Sequence, residues 1–263
     1  MSLSLRQQEI AEIARRYGRV TVDELVAQFD VTAQTIRKDL NELCDRRILS
    51  RVHGGAVISS GVTNLGYEQR RDLAAQEKAL IGRMCAERIP DSTSLFINLG
   101  TTTEAVARAL LRHRDLLVIT NNLNVANILI DNPTCEVIIA GGMLRRADRG
   151  IIGEATVGFV KQFKVDYAVI GTSAIDPDGS LLDFDYREVR VAQAILENAR
   201  HSYLVADQSK LQRSAPVRIG HMSQVSDFFT DEMVSSDLAQ VCAQHGVRVH
   251  ETLHWEPGRS EAG

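Results

Sequence analysis

The chain has 263 residues, 44% of them hydrophobic, and a formal net charge of -4, which is enough apolar material for two separate cores. An acidic balance excludes a protein that coats nucleic acid through bulk charge, so any DNA binding has to be local and shaped. No run approaches the roughly 18 apolar residues of a membrane span, and no signal-peptide block opens the chain, so a cytoplasmic protein without a membrane partner is expected.

Ile10, Ile13, Ala14 and Tyr17 recur at helical spacing, with Gly18 placed to end that first helix. Thr21 and Glu24 form a capping-box pair ahead of Val22, Leu25, Val26 and Phe29, a second helix. Thr32 can cap a third, which buries Ile36, Leu40 and Leu43. With those turned inward, Gln34, Thr35, Arg37, Lys38 and Asn41 face out, as donors suited to base edges and phosphates in a major groove. A solvated helix face would carry similar residues, but here an alternating run from Ile48 to Ile58 follows, around a Gly54-Gly55 pair able to form a hairpin turn. Arg51 and His53 lie on its strands, so the hairpin reads as a wing that reaches phosphate or the next groove.

The run Thr35-Ile36-Arg37-Lys38-Asp39-Leu40, preceded by Val31-Thr32 and followed by Leu49-Ser50-Arg51-Val52-His53-Gly54-Gly55-Ala56, resembles the winged-helix signature of the DeoR family of bacterial repressors. Thr32 and Lys38 stand where that family often has Ser and Arg. The cap oxygen and the charge survive, while Lys38 loses bidentate geometry and should favour phosphate over a base.

Ser59 to Thr63 is small and polar, a short linker. One continuous helix is expected from about Glu68 to Arg88, ended by Pro90-Asp91. Apolar runs at Ser94 to Leu99, Leu116 to Thr120, Glu136 to Ala140, Val165 to Ile170 and Ser202 to Ala206 then alternate with helical stretches near Glu104 to Arg112, Val125 to Ile130 and Glu188 to Ala199. That alternation predicts a parallel sheet covered on both faces, whose ligand binds at the carboxyl ends of its strands. Polar residues gather there: Asn98 and Gly100-Thr101-Thr102-Thr103 after the first strand, Thr120-Asn121-Asn122 after the second, Gly141-Gly142 after the third, Gly171-Thr172 after the fourth and Asp207-Gln208-Ser209-Lys210 after the fifth. Gly100 to Thr103 before a helix, taken alone, is an ordinary N-cap or a phosphate cradle without a Walker lysine; the polar neighbours favour the cradle, and Lys210 can supply the cation.

This ordered set resembles the DeoR sensor domain, itself similar in fold to ribose-5-phosphate isomerase, and the resemblance runs from about Arg6 to His250. It implies an α/β architecture: a winged helix-turn-helix at 1–58, a linker and the start of a connecting helix at 59–75, a sugar-phosphate sensor at 76–254 and a tail at 255–263. It also implies that Gly100 to Thr103 and Lys210 hold a phosphate, with Asp183, Tyr186 and Glu188 near the rest of the ligand. The isomerase's acidic pair and catalytic Lys and Glu find no clear match, since Leu181-Leu182-Asp183-Phe184 occupies the region, so the resemblance implies binding without catalysis and without a cofactor. Thr120 to Asn127, Gly150 to Thr156 and Asp178 to Tyr186 resemble the branch of the family that responds to glycerol 3-phosphate, which makes that metabolite the expected effector. Operator half-sites on double-stranded DNA require at least a homodimer, and a homotetramer fits as well. The alternatives are a regulator of the same family that reads another sugar phosphate, and a sugar-phosphate enzyme whose N-terminal helices serve assembly.

Two strings mimic metal sites. His250-Glu251-Thr252-Leu253-His254 has the form of a zinc-protease motif, but Val247 to His250 alternates like a strand, whereas that chemistry needs both histidines on one helix face. Asp176-Pro177-Asp178-Gly179 starts like a calcium loop and reads as a turn. Cys44, Cys85, Cys135 and Cys242 are too widely spaced for a redox or zinc motif and read as reduced core thiols.

Overall fold

A computed structural model describes residues 3–17, 19–46, 48–52, 54–58 and 66–256. Gly18, His53, the linker residues 59–65 and the tail residues 257–263 lie outside the described residues.

The N-terminal part is a winged helix-turn-helix: α1 (Leu5–Tyr17), β1 (Arg19–Thr21), α2 (Val22–Phe29), α3 (Ala33–Asp45), β2 (Leu49–Val52) and β3 (Gly55–Ile58). Both expected caps form. Glu24 N–H donates to Thr21 Oγ1 at 3.2 Å while Thr21 N–H donates back to Glu24 Oε2 at 3.1 Å, and Thr35 N–H donates to Thr32 Oγ1 at 3.3 Å. Ile10, Ala14, Leu25, Ile36, Leu40 and Leu43 fill one core. The wing has a third strand that the pattern did not announce, since β1 pairs with β3 and the sheet order is β1-β3-β2. Gly54, at φ +75°, supplies the turn. Gly55 is already in the ladder, opposite both Val52 and Thr21, and a Cβ there would stand 2.0 Å from the Val20 carbonyl oxygen. The second glycine thus serves close strand approach instead of the turn.

The expected single helix over 68–88 is broken into α4 (Tyr67–Asp72) and α5 (Ala75–Ala86), with Ala74 between them at φ +51°. No Gly or Pro marks the break. At the break the buried Lys78 ammonium donates to the carbonyls of Arg70 and Leu73, which an uninterrupted helix would keep for its own amides. The chain continues as β4 (Ser94–Ile97), α6 (Thr101–Ala109), β5 (Leu117–Thr120), α7 (Leu123–Leu129), β6 (Glu136–Ile139), β7 (Met143–Arg145), β8 (Gly150–Ile152), α8 (Glu154–Val160), β9 (Val165–Ile170), β10 (Ala174–Ile175), β11 (Ser180–Asp183), α9 (Tyr186–Glu197), β12 (Ala199–Val205), β13 (Val217–His221), β14 (Asp227–Thr230), α10 (Ser236–His245) and β15 (Arg248–Glu251).

The five expected strands are present in a seven-stranded sheet of order β15-β14-β12-β9-β4-β5-β6, every neighbouring pair of which is parallel. Asp227–Thr230 is a further strand that was not among the expected five. Alternate residues of β4 serve opposite cores: Leu95 and Ile97 join Ile81, Val106 and Val125 under α5, α6 and α7, while Phe96 joins Val160, Val191 and Leu238 under α8, α9 and α10. From β4 the chain proceeds through β5 to β6 on one side and later adds β9, β12, β14 and β15 on the other. The order therefore reverses between β4 and β9, and a crevice opens at the carboxyl ends of such a pair.

The metal mimics resolve locally. The histidine string starts in β15 and ends in a 3-10 turn over Thr252–His254, so its histidines do not share an α-helical face, and His250 Nε2 meets Asp227 Oδ1 at 2.8 Å. Gly179 has φ +85° in a turn where Ser180 N–H donates to Asp178 Oδ1 at 2.9 Å. All four cysteines are free thiols, with Cys85 and Cys242 in the cores.

Candidate functional site

Positive charge is presented in two places. On α3, Gln34, Arg37 and Lys38 are exposed beside the buried Ile36, Asp39 and Leu40. Thr35 is half-buried with its hydroxyl 2.9 Å from that of Thr32, and Asn41 is half-buried with Oδ1 unpartnered. Arg51 is exposed on β2 of the wing, and His53 lies outside the described residues. How α3 is held was not legible in the chain's pattern. Arg6 Nε donates to Asp39 Oδ2 at 2.6 Å, and Gln7 Nε2 donates to Asp39 Oδ1 at 3.2 Å and to Glu42 Oε2 at 2.6 Å. The start of α1 thereby fixes the buried side of α3 while the other side keeps Gln34, Arg37 and Lys38 exposed, the arrangement a recognition helix requires.

The second place is the crevice beside β4 and β9. Lys210, at 7% exposure, sits in a 3-10 turn over Gln208–Gln212 after β12. Burial lowers its ammonium, Asp207 opposes that, and Arg213, Lys78 and Arg70 lower it further, to about 7. Lys78 and Arg213 are themselves buried and lowered by burial. Four basic groups thus converge where Asp207 is the carboxylate common to Lys78, Lys210 and Arg213. A cluster of that kind is costly to bury without a further anion.

Several of the residues read from the sequence border it. Gly100 turns β4 into α6 with φ +144°, Thr103 Oγ1 donates to Asn98 O at 2.8 Å, and Thr101 Oγ1 donates to Arg70 O at 3.3 Å. Thr102 is buried beside them. The opening turn of α6 adds amides without intrahelical acceptors. Two buried acceptors lack a donor here, Asn98 Oδ1 and Asp207 Oδ2, and a polyol hydroxyl could satisfy either.

Beyond Arg70 the crevice turns acidic. Arg70 reaches Asp148 Oδ2 at 3.5 Å, and Arg145 binds Asp148 at 2.5 Å, Asp185 at 2.8 Å and Glu188 at 2.5 Å. Burial opposes the Arg145 charge, but Asp148 and Glu188 outweigh it and raise its pKa. Burial, and then the charge of Asp183, push Glu188 up to about 7 despite Arg145. Asp183 accepts from Ser173 Oγ at 3.0 Å and from Phe184 N–H at 2.6 Å. The site therefore has a cationic end and a hydrogen-bonding carboxylate end, joined through Arg70.

Other named residues serve the frame. Thr120 Oγ1 donates to Ile97 O at 2.6 Å, Asn121 Nδ2 donates to Ile151 O at 3.0 Å, and Asn122 Oδ1 caps α7. Gly141 O accepts from Thr156 Oγ1 at 3.0 Å, and a Cβ on Gly142 would lie 2.1 Å from that hydroxyl. Tyr186 does not join the crevice: it is 59% exposed and its hydroxyl accepts from Arg190 at 3.2 Å.

Arg70, Lys78, Arg145 and Arg213 were missed from the sequence. Lys78 had a readable signal, since it shares a stripe with Ile81 and Cys85 at steps of three and four. Arg213 and Arg145 had none.

Comparison with known proteins agrees with both halves. The DeoR-like helix-turn-helix domain matches residues 6–62 and the DeoR C-terminal sensor domain matches 73–232. A glycerol-3-phosphate regulon repressor of Escherichia coli (strain K12) is 46% identical over 95% of this chain and 99% of its own length. One of Haemophilus influenzae is 48% identical over 89% of this chain and 91% of its own. Among solved structures, a D-ribose-5-phosphate isomerase in complex with phospho-erythronic acid aligns with 52% of this chain and 55% of its own, at 14% identity and a TM-score of 0.40. The family matches cover both the winged helix and the sensor sheet, and the chain belongs to the DeoR family of helix-turn-helix transcriptional regulators.

Proposed function

We propose that this protein represses genes of glycerol 3-phosphate metabolism and leaves its operator when glycerol 3-phosphate binds the crevice beside β4 and β9. The observation that carries this is the convergence of Arg70, Lys78, Lys210 and Arg213 next to the opening turn of α6, with Asp183 and Glu188 farther along. A phosphate dianion answers the basic cluster, and a short polyol reaches the carboxylates and the unpartnered Asn98 Oδ1. The names of the relatives at 46% and 48% identity favour glycerol 3-phosphate over other sugar phosphates.

In this account residues 1–58 bind double-stranded operator DNA, residues 59–75 connect, and residues 76–254 sense. The active unit is at least a homodimer, because two half-sites need two recognition helices, and it works in the cytosol. Among the described residues no helix is long and apolar enough to cross a membrane. Catalysis is not part of the proposal. Glu188 is bound to Arg145 at 2.5 Å and Asp183 is held by Ser173 and the Phe184 amide, so neither carboxylate stands ready as a base.

The effector must bind the DNA-incompetent arrangement more tightly, and DNA then weakens effector binding by the same factor. Operator binding at fixed salt, titrated with glycerol 3-phosphate beside fructose 1-phosphate and ribose 5-phosphate, tests the proposal. Release at the lowest concentration by glycerol 3-phosphate is expected, and release by another of them first replaces the effector.

A further inference from the structure

The six-residue α4 occupies a special position. It is the first described element after the wing, with eight residue steps from Ile58 to Gly66, a tether of at most about 28 Å. So short a helix does not persist alone in water. It is held by four sets of contacts, all at the effector crevice. Tyr67 Oη donates to Glu104 Oε2 at 2.9 Å and accepts from Asn124 Nδ2 at 3.1 Å. Arg70 pairs with Asp148 at 3.5 Å. Thr101 Oγ1 donates to the Arg70 carbonyl, and Lys78 Nζ caps the carbonyls of Arg70 and Leu73. Ala74, just after it, is in the left-handed region, which a residue with a Cβ occupies only under constraint.

We propose that α4 is a strap: a bound anion draws the Lys78 ammonium and the Arg70 guanidinium away from α4's carbonyls and Asp148, α4 lifts off Glu104 and Asn124, and the winged helix is repositioned through the linker. This rests on the reading of the crevice as the effector site and adds how occupancy reaches the DNA-binding part. The same two cations serve both roles, so ligand and docked strap compete for them. Lys78 has three donor hydrogens, and two already point at carbonyls. An approaching phosphate offers stronger, charged acceptors. Relaxation of Ala74 favours the released state.

Tyr67→Phe in the full-length protein separates the strap from the anion site, because it removes the contacts to Glu104 and Asn124 without touching a cation. Loss of a hydrogen bond of this kind should shift the balance of docked and released strap about fivefold toward release. That shift is divided between weaker operator binding without effector and tighter glycerol 3-phosphate binding, the two factors multiplying to about five. Amide hydrogen exchange in residues 66–74 of the wild type should rise on addition of glycerol 3-phosphate. Glycerol 3-phosphate binding with unchanged exchange there, and with both Tyr67→Phe constants unshifted or both weakened, overturns the strap and leaves the sensor intact. Failure of the wild type to bind any of the three phosphates overturns the sensor reading, and the strap with it.

Discussion

The two cationic surfaces of this protein are built in opposite ways. Arg37, Lys38 and Arg51 stand in solvent, within reach of a polyanion. Lys78, Lys210 and Arg213 are 8% exposed or less and crowd one another. Exposed cations bind by releasing counterions, so their contribution falls with salt. Buried cations are screened little by salt, and their contribution depends on protonation and desolvation. One chain can therefore read a long polymer and a small anion through the same side-chain chemistry, because burial assigns each cluster its ligand.

The largest effect expected from that contrast is at Lys210. Lys210→Met should weaken glycerol 3-phosphate binding by about 100-fold or more, the usual consequence of removing one partner from a buried charge pair. Operator affinity should change by less than about twofold, since the two sites lie on separate cores. Calorimetric titration and a gel-shift series check the two halves.

At the other surface, Arg37→Ala should weaken operator binding by about 5- to 150-fold and leave effector affinity alone. If Arg37 meets a phosphate, the salt slope of operator binding drops by about one. A base contact instead relaxes sequence preference with little change in slope.

Protonation should then separate the two surfaces without a mutation. Lys210 sits at about 7 in the ligand-free chain, against 10.5 for the ordinary group. The unfolded chain therefore holds the extra proton between those values, so this lysine's penalty on folding is full below pH 7 and fades toward 10.5. A bound dianion wants the charged form. Effector affinity should fall as pH rises from 7 to 8.5, by at most about tenfold per unit, and the fall should vanish in Lys210→Met. The second phosphate ionisation, near 6, is complete in that window. Operator binding without effector should be comparatively flat, since a guanidinium exposed to water is not a group that changes charge in this range.

The smallest effect belongs to the scaffold. Thr21→Ala removes the capping oxygen that accepts from Glu24 N–H at 3.2 Å and should cost the winged helix about 1 kcal/mol, read as a shift in its denaturation midpoint.

How much of this could be read in advance follows from which forces are local. Caps at Thr21 and Thr32 and the stripe Ile36, Leu40, Leu43 depend on neighbours in sequence, and they were legible. The parallel sheet was legible for the same reason, since strands buried on both faces are written as apolar runs. The break at Ala74 was not, because no Gly or Pro marks it and a lysine side chain, Lys78, takes the carbonyls of Arg70 and Leu73 there. Gly55 was assigned to the turn because β1, which crowds it, is only three residues long. In the site, the loop residues Asn98 to Thr103 and Lys210 announced themselves at strand ends. Arg145, Arg213 and Asp148 come together from distant segments, and Tyr186 was included on resemblance alone.

The central claim is that a small phosphate acts on DNA binding through a cation cluster separate from the recognition surface. The most direct measurement is glycerol 3-phosphate titrated into operator complexes of the wild type and of Lys210→Met, at fixed salt and pH 6.5. The account predicts release of the wild type and retention of Lys210→Met at concentrations about 100-fold higher. Equal release of both proteins, or loss of operator binding in Lys210→Met before any ligand is added, would contradict it.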